Sequence, residues 1–111
     1  MGITFEIEGQ RYIAFNGGPS HPFNDTVSLY VDCEDQAEID KLWSGLIANG
    51  GSPIQCGWLK DRFGLRWQIV PRVFMSLMNS PDPKKSKAVF QAMMKMVKFD
   101  IAGLQRAHDE A

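Results

Sequence analysis

Residues 56–71 read Cys56-Gly57-Trp58-Leu59-Lys60-Asp61-Arg62-Phe63-Gly64-Leu65-Arg66-Trp67-Gln68-Ile69-Val70-Pro71, and their pattern decides the fold. Two strand-like runs, Gln55 to Lys60 and Leu65 to Val70, flank the connection Asp61-Arg62-Phe63-Gly64, which places glycine where a positive φ is needed. This spacing predicts a β-hairpin. Pro71 closes the ladder because it has no amide hydrogen to donate. Side chains alternate faces along a strand, so Cys56 and Trp58 share one face of the first run, and Arg66 and Gln68 one face of the second. Two tryptophans on such a hairpin fill a core, or, with a neighbouring glutamine, floor a small-molecule pocket.

Upstream, Val27-Ser28-Leu29-Tyr30-Val31 has strand composition. Asp35 followed by Glu38 is a capping-box-like helix start, and Ile39, Leu42, Trp43, Leu46 and Ile47 then recur on one helical face. Asn49-Gly50-Gly51 stops that helix, since these residues tolerate the left-handed conformation. At the beginning of the chain, Ile3 to Ile7 and Arg11 to Phe15 flank the turn Glu8-Gly9-Gln10, predicting an opening hairpin. Asn16 to Thr26, rich in Gly, Pro, Asn and Ser, reads as a loop.

Downstream, Val73, Phe74, Leu77 and Met78 predict a short helix closed by Asn79-Ser80-Pro81. Asp82-Pro83 opens another, with Asp as cap and Pro at the first helical position. Its apolar face runs through Val89, Phe90, Met93, Met94, Met96 and Val97, so the helix is expected from Pro83 to Val97. Asp100 is expected to cap a final turn or two through Ile101 and Leu104.

The 111 residues and 12.5 kDa leave room for a single domain, 1–111, and no repeat or linker divides it. Twelve Lys and Arg stand against 13 Asp and Glu. That balance gives the whole molecule no electrostatic drive toward nucleic acid or an anionic membrane, so neither is expected as a partner. The first residues lack the basic and apolar regions of a signal peptide. Glu6 stands where a myristoylation motif wants Ser or Thr, and no apolar run reaches the length of a bilayer span. Cys33 and Cys56 stand apart, without C-x-x-C spacing, which reads as free thiols in a reducing, cytoplasmic setting.

Few residues carry an obvious chemistry. His21 and His108 are the only histidines, and neither has a Cys or carboxylate at ligand spacing. His21 reads as a loop residue and His108 as an exposed position near a fraying terminus. Gly17-Gly18 is too short for a phosphate loop. The methionines around Met94 read as packing, and Lys84, Lys85 and Lys87 as a solvated face. A catalytic residue is not identifiable.

Phe15-Asn16-Gly17-Gly18-Pro19, Cys33-Glu34-Asp35-Gln36-Ala37-Glu38 and above all the block from Cys56 to Pro71 resemble PhnB-like proteins. That family, also described as 3-demethylubiquinone-9 3-methyltransferase-like, belongs to the vicinal-oxygen-chelate (glyoxalase/bleomycin-resistance) superfamily. Pro81-Asp82-Pro83 and Ala92 to Met96 are similar to its C-terminal helices, so the resemblance covers nearly the whole chain. It implies an α+β fold: a βαβββ module (27–71) preceded by a β-hairpin left from a first module (1–16) and followed by a helical tail (72–111). Relatives open with a strand, a helix and a further strand that have no counterpart here. The implied cup is therefore incomplete in one chain, and a homodimer is expected to complete it, with exchanged elements as one form of such a dimer.

In metal-dependent relatives the ligands come from the first and last strands of each module. Those positions correspond here to Ser28 and Gln68, weak partners for a divalent cation, so neither a metal nor another cofactor is expected. Methyl transfer is not expected either, since no glycine-rich nucleotide fold is present to hold a methyl donor. The reading is a small-molecule-binding domain lined by Phe15, Cys56, Trp58, Arg66 and Gln68. A metal-dependent lyase or dioxygenase completed across a dimer, and a purely structural half-domain, are the alternatives.

Overall fold

The computed structural model describes residues 2–19 and 21–111. Two strands come first, β1 (Gly2–Ile7) and β2 (Gln10–Phe15). They pair antiparallel in the register Gly2↔Phe15 to Ile7↔Gln10. The turn is the dipeptide Glu8-Gly9, with φ of 50° and 81°, the left-handed pair that a tight hairpin requires. Phe5 and Tyr12 stack across it with ring centroids 5.5 Å apart.

The second module follows as β3 (Ser28–Cys33), α1 (Gln36–Ile47), β4 (Ser52–Pro53), β5 (Trp58–Lys60) and β6 (Arg66–Pro71). The sheet order is β3-β6-β5-β4, with β3 parallel to β6 and the other pairs antiparallel. This is the expected βαβββ connectivity. Helix α1 begins as its sequence predicts: the Asp35 carboxylate accepts from the Glu38 amide at 2.9 Å, and the Glu38 carboxylate accepts from the Glu34 amide at 2.9 Å. Ile39 and Trp43 are buried against the sheet, together with Leu59, Ile69 and Cys33.

One strand differs from its expected extent. The run predicted from Gln55 to Lys60 splits, because Cys56 (φ 55°) and Gly57 (φ 83°) are both left-handed and period-two alternation fails there. Only Trp58 to Lys60 is strand, and Ser52-Pro53 supplies a short outer partner that the sequence pattern hides. The amides of Cys56 and Gly57 instead donate to the carbonyls of Met96 and Val97, each at 2.8 Å. Gly57 is irreplaceable there for a second reason: a Cβ would stand 2.3 Å from the Phe99 ring.

The tail forms α2 (Arg72–Met78), α3 (Pro83–Met94) and α4 (Ile101–Asp109). Asp82 caps α3, accepting from the Lys84 amide at 2.9 Å. Helix α3 stops at Met94, three residues before its expected end, where the chain turns to present the two carbonyls that Cys56 and Gly57 take. Helix α4 is longer than a turn or two, and Asp100 precedes it without a side-chain cap bond. The Ile101 amide is taken instead by Gln36 Oε1 at 2.8 Å, while Gln36 Nε2 donates to the Phe99 carbonyl at 2.9 Å. One α1 side chain thus ties the tail to the module. Phe99, buried and packed on Phe74 at 5.2 Å, joins Leu77, Val89, Met93 and Leu104 in the same core. His108 sits half-buried within α4, where Asp109 meets its ring, and not at a frayed end.

The hairpin stands away from this body. Every residue from Gly2 to Phe15 is exposed, and the long axis measures 54 Å against 27 and 24 Å for the others. The radius of gyration of 16.3 Å exceeds the roughly 13 Å of a compact chain of this length.

Candidate functional site

The register sorts the second sheet into two faces. Leu29, Val31 and Cys33 lie beside Trp67, Ile69 and Pro71, and with Leu59 they form the face that α1 covers. Ser28, Tyr30 and Asp32 lie beside Arg66, Gln68 and Val70, with Trp58 opposite Gln68 and Lys60 opposite Arg66. That second face gathers three of the five expected lining residues: Trp58, Arg66 and Gln68.

Gln68 does not stand free. Its Nε2 donates to Ser28 Oγ at 2.8 Å, so the two positions that the resemblance sets aside for ligands are bonded to each other. Arg66 is equally committed. Its Nε donates to Asp25 Oδ1 at 2.7 Å, and its Nη1 donates to the Gly64 carbonyl at 2.6 Å and more weakly to the Phe23 carbonyl at 3.4 Å. The side chain is 17% exposed, and it clips the loop before β3 onto the β5–β6 turn. Tyr30 is 52% exposed on the same face, and burial of its ring side, then Asp32, raises its hydroxyl pKa. Arg72 pairs with Asp32 at 3.0 Å and Glu34 at 3.5 Å beyond it.

Two expected lining residues lie elsewhere. Cys56 is outside any strand, and its Sγ turns toward the Met94 carbonyl at 3.9 Å, on the side of the helical tail. Its left-handed backbone breaks the alternation that put it beside Trp58. Phe15, 72% exposed, borders a shallow groove on the hairpin with Ile3, Ala14 and Asn16. Within one chain it does not meet Trp58 or Gln68.

The turn of the deciding hairpin has an organising carboxylate that composition alone does not reveal. Asp61 is buried; its Oδ1 accepts from the amides of Phe63 and Leu65 at 2.9 and 3.0 Å, and its Oδ2 from the Trp67 indole at 2.9 Å. The aspartate-to-glycine connection is the sequence signal for the two amide bonds. The third bond follows from Trp67 pointing to the α1 side.

A cleft of about 810 Å³ runs along the outer edge of β3 rather than over the face of the sheet. The hairpin tip (Ile7, Glu8, Tyr12) bounds one side, and Leu42, Leu46, Trp67 and Arg72 the other. Its floor is a strand with no neighbour on that side among the described residues.

The thiols differ in reach. Cys33 is fully buried, and burial, then Glu38, pushes its pKa up to about 11. Alkylation at pH 8 is expected to label Cys56 and leave Cys33 untouched until the protein unfolds, with peptide mapping as the check. Because the folded thiol holds its proton more tightly than the unfolded one, its contribution to stability is full below about pH 9 and is lost as pH rises toward 11. His21 is exposed in its loop, and among the described residues no three His, Cys, Asp or Glu side chains are grouped to hold a metal. Among the described residues no helix is long and apolar enough to cross a membrane.

Against known families, residues 1–70 match the model for 3-demethylubiquinone-9 3-methyltransferase. The match takes in both hairpin and module but ends before the helical tail, so it is shorter than the near-complete resemblance expected. Among solved structures, the chain is similar to the PhnB protein of Bacillus cereus, which carries the same methyltransferase name. The two share 28% identity and a TM-score of 0.58, over 64% of each chain. No curated protein matches.

Proposed function

The chain belongs to the PhnB-like, 3-demethylubiquinone-9 3-methyltransferase-like family, and from that premise we propose that it is a metal-independent small-molecule-binding domain acting as a homodimer. The observation that carries this reading is the Gln68–Ser28 hydrogen bond. It fixes a neutral amide and a hydroxyl beside Trp58 on one sheet face. An amide, a hydroxyl and an aromatic surface hold a polar organic ligand by hydrogen bonding and stacking.

That donor set does not fit a divalent cation. It offers two neutral oxygens, of which Ser28 Oγ already accepts from Gln68 Nε2, and the Asp25 carboxylate is occupied by Arg66. Zinc-type centres use three or four His, Cys or carboxylate ligands, and magnesium and calcium favour carboxylates. The domain therefore works without metal in this reading. Nothing in the βαβββ topology offers the nucleotide-type crevice that would hold a methyl donor, so the family name is not taken as an activity.

The homodimer rests on unfinished surfaces. A two-stranded hairpin by itself is marginal in water, yet Ile3, Ile13 and Phe15 stand 68%, 68% and 72% exposed. The two edges of the second sheet are also unequal. Strand β4 is two residues long and ends in Pro53, the usual protection against unwanted pairing. Strand β3 has six residues, no Pro or Lys, and, among the described residues, an open side. A second copy that lays its hairpin against this region would cover both surfaces and bring a Phe15 toward the Trp58–Gln68 face. A cytoplasmic location is consistent with the two free thiols.

The test is a tryptophan-fluorescence screen of small polar aromatic compounds against wild type, Gln68→Leu and Trp58→Leu, with and without a chelator. The reading expects compounds that bind wild type, lose most of their affinity in both variants and ignore the chelator. Binding abolished by chelator and restored by a divalent ion would overturn it in favour of a metal-dependent site.

A further inference from the structure

The near-zero overall charge conceals a segregation. Residues 83–99 hold Lys84, Lys85, Lys87, Lys95 and Lys98 and no acidic residue. Of the chain's 12 Lys and Arg, that leaves seven elsewhere, against all 13 Asp and Glu, a formal balance of −6 outside the segment. Positive charge is thus concentrated in α3 and the turn that follows it.

The same segment keeps apolar side chains in water. Phe90 and Met94, one helical turn apart on α3, are 45% and 52% exposed, and Val97 just beyond is 43% exposed. Their opposite numbers, Val89 and Met93, are already buried in the core, so this outer stripe is not needed for folding. Lys84 and Lys87, three residues apart, and Lys95, two turns further on at the C-cap, lie along the adjoining ridge; all are exposed and none forms an ion pair among the described residues. Lys85 and Lys98 are occupied, by the His108 carbonyl and by Asp40.

We propose that the outer face of α3 docks on an anionic phospholipid surface. An apolar stripe beside a row of lysines, on a helix whose other face is anchored, is the arrangement of a helix lying in the plane of a lipid interface. Neither of the two clefts described above is lined by an α3 residue, so the face suits a plane better than an inserted peptide.

Sedimentation with vesicles of phosphatidylcholine containing phosphatidylserine, against phosphatidylcholine alone, tests this with the full chain. Binding is expected only to the anionic vesicles, and it should fall steeply as salt is raised. Each Lys→Gln change at 84, 87 or 95 should weaken partitioning about fivefold, the effect of one surface charge. Phe90→Ser should weaken it at fixed salt. Circular dichroism confirms that each variant is folded, and the single lysine variants, lying in water, keep the test open if Phe90→Ser is not. No phosphatidylserine-dependent binding, or binding unchanged in K84Q/K87Q/K95Q, would overturn the proposal. So would a salt-sensitive self-association abolished by the same changes, which would assign the face to a second copy.

Discussion

Trp43→Ala is expected to lower the free energy of unfolding by about 3–5 kcal/mol, the usual cost of emptying a buried aromatic site. The indole is 6% exposed and lies on the α1 face that also buries Ile39 against Leu59 and Ile69. Removing it opens a void between helix and sheet that neighbouring backbone cannot close without breaking the strand register. Urea unfolding followed by circular dichroism measures the loss. A midpoint nearly unchanged from wild type would mean that α1 does not pack on this sheet.

Asp61→Ala is expected to cost about 2–4 kcal/mol, because three part-buried donors lose their shared acceptor at once. They are the amides of Phe63 and Leu65 and the Trp67 indole. Asp61→Asn is the informative control. Its amide oxygen still accepts from the two backbone groups, while its nitrogen meets the indole donor, so the loss should be roughly half as large. Trp67→Phe should then add little to the Asp61→Asn loss, as expected for partners in one network. Equal stability of wild type and Asp61→Ala would refute the assigned turn.

Most of the architecture was legible in the sequence because the local signals agree with the tertiary ones. The capping of α1, its apolar face and the Asn49-Gly50 stop all describe the same helix, and the structure contains it at Gln36–Ile47. The opening hairpin and the Asp61–Gly64 connection are likewise set by residues close in sequence. What sequence hid depends on contacts between distant segments. Cys56 takes a left-handed conformation because its amide and that of Gly57 are met by carbonyls some forty residues away, and no local pattern announces that. The same bonds end α3 early.

The candidate site divides in the same manner. Trp58, Arg66 and Gln68 share a face because strand alternation is a local rule, and the register shows them together. The Gln68–Ser28 bond needs β3 parallel beside β6, which follows from topology and not from spacing. Arg66 looked available for a ligand by residue type, but Asp25 and two carbonyls claim its donors. Phe15 depends on where the hairpin docks, a question of assembly.

Assembly is the claim on which the functional reading turns, since a second copy is what would bring the exposed hairpin to the open β3 edge. Light scattering coupled to size exclusion, over a dilution series into the micromolar range, measures it directly. A folded species of about twice the 12.5 kDa chain mass that persists on dilution is expected. A folded, monodisperse monomer of 12.5 kDa across the series would contradict it.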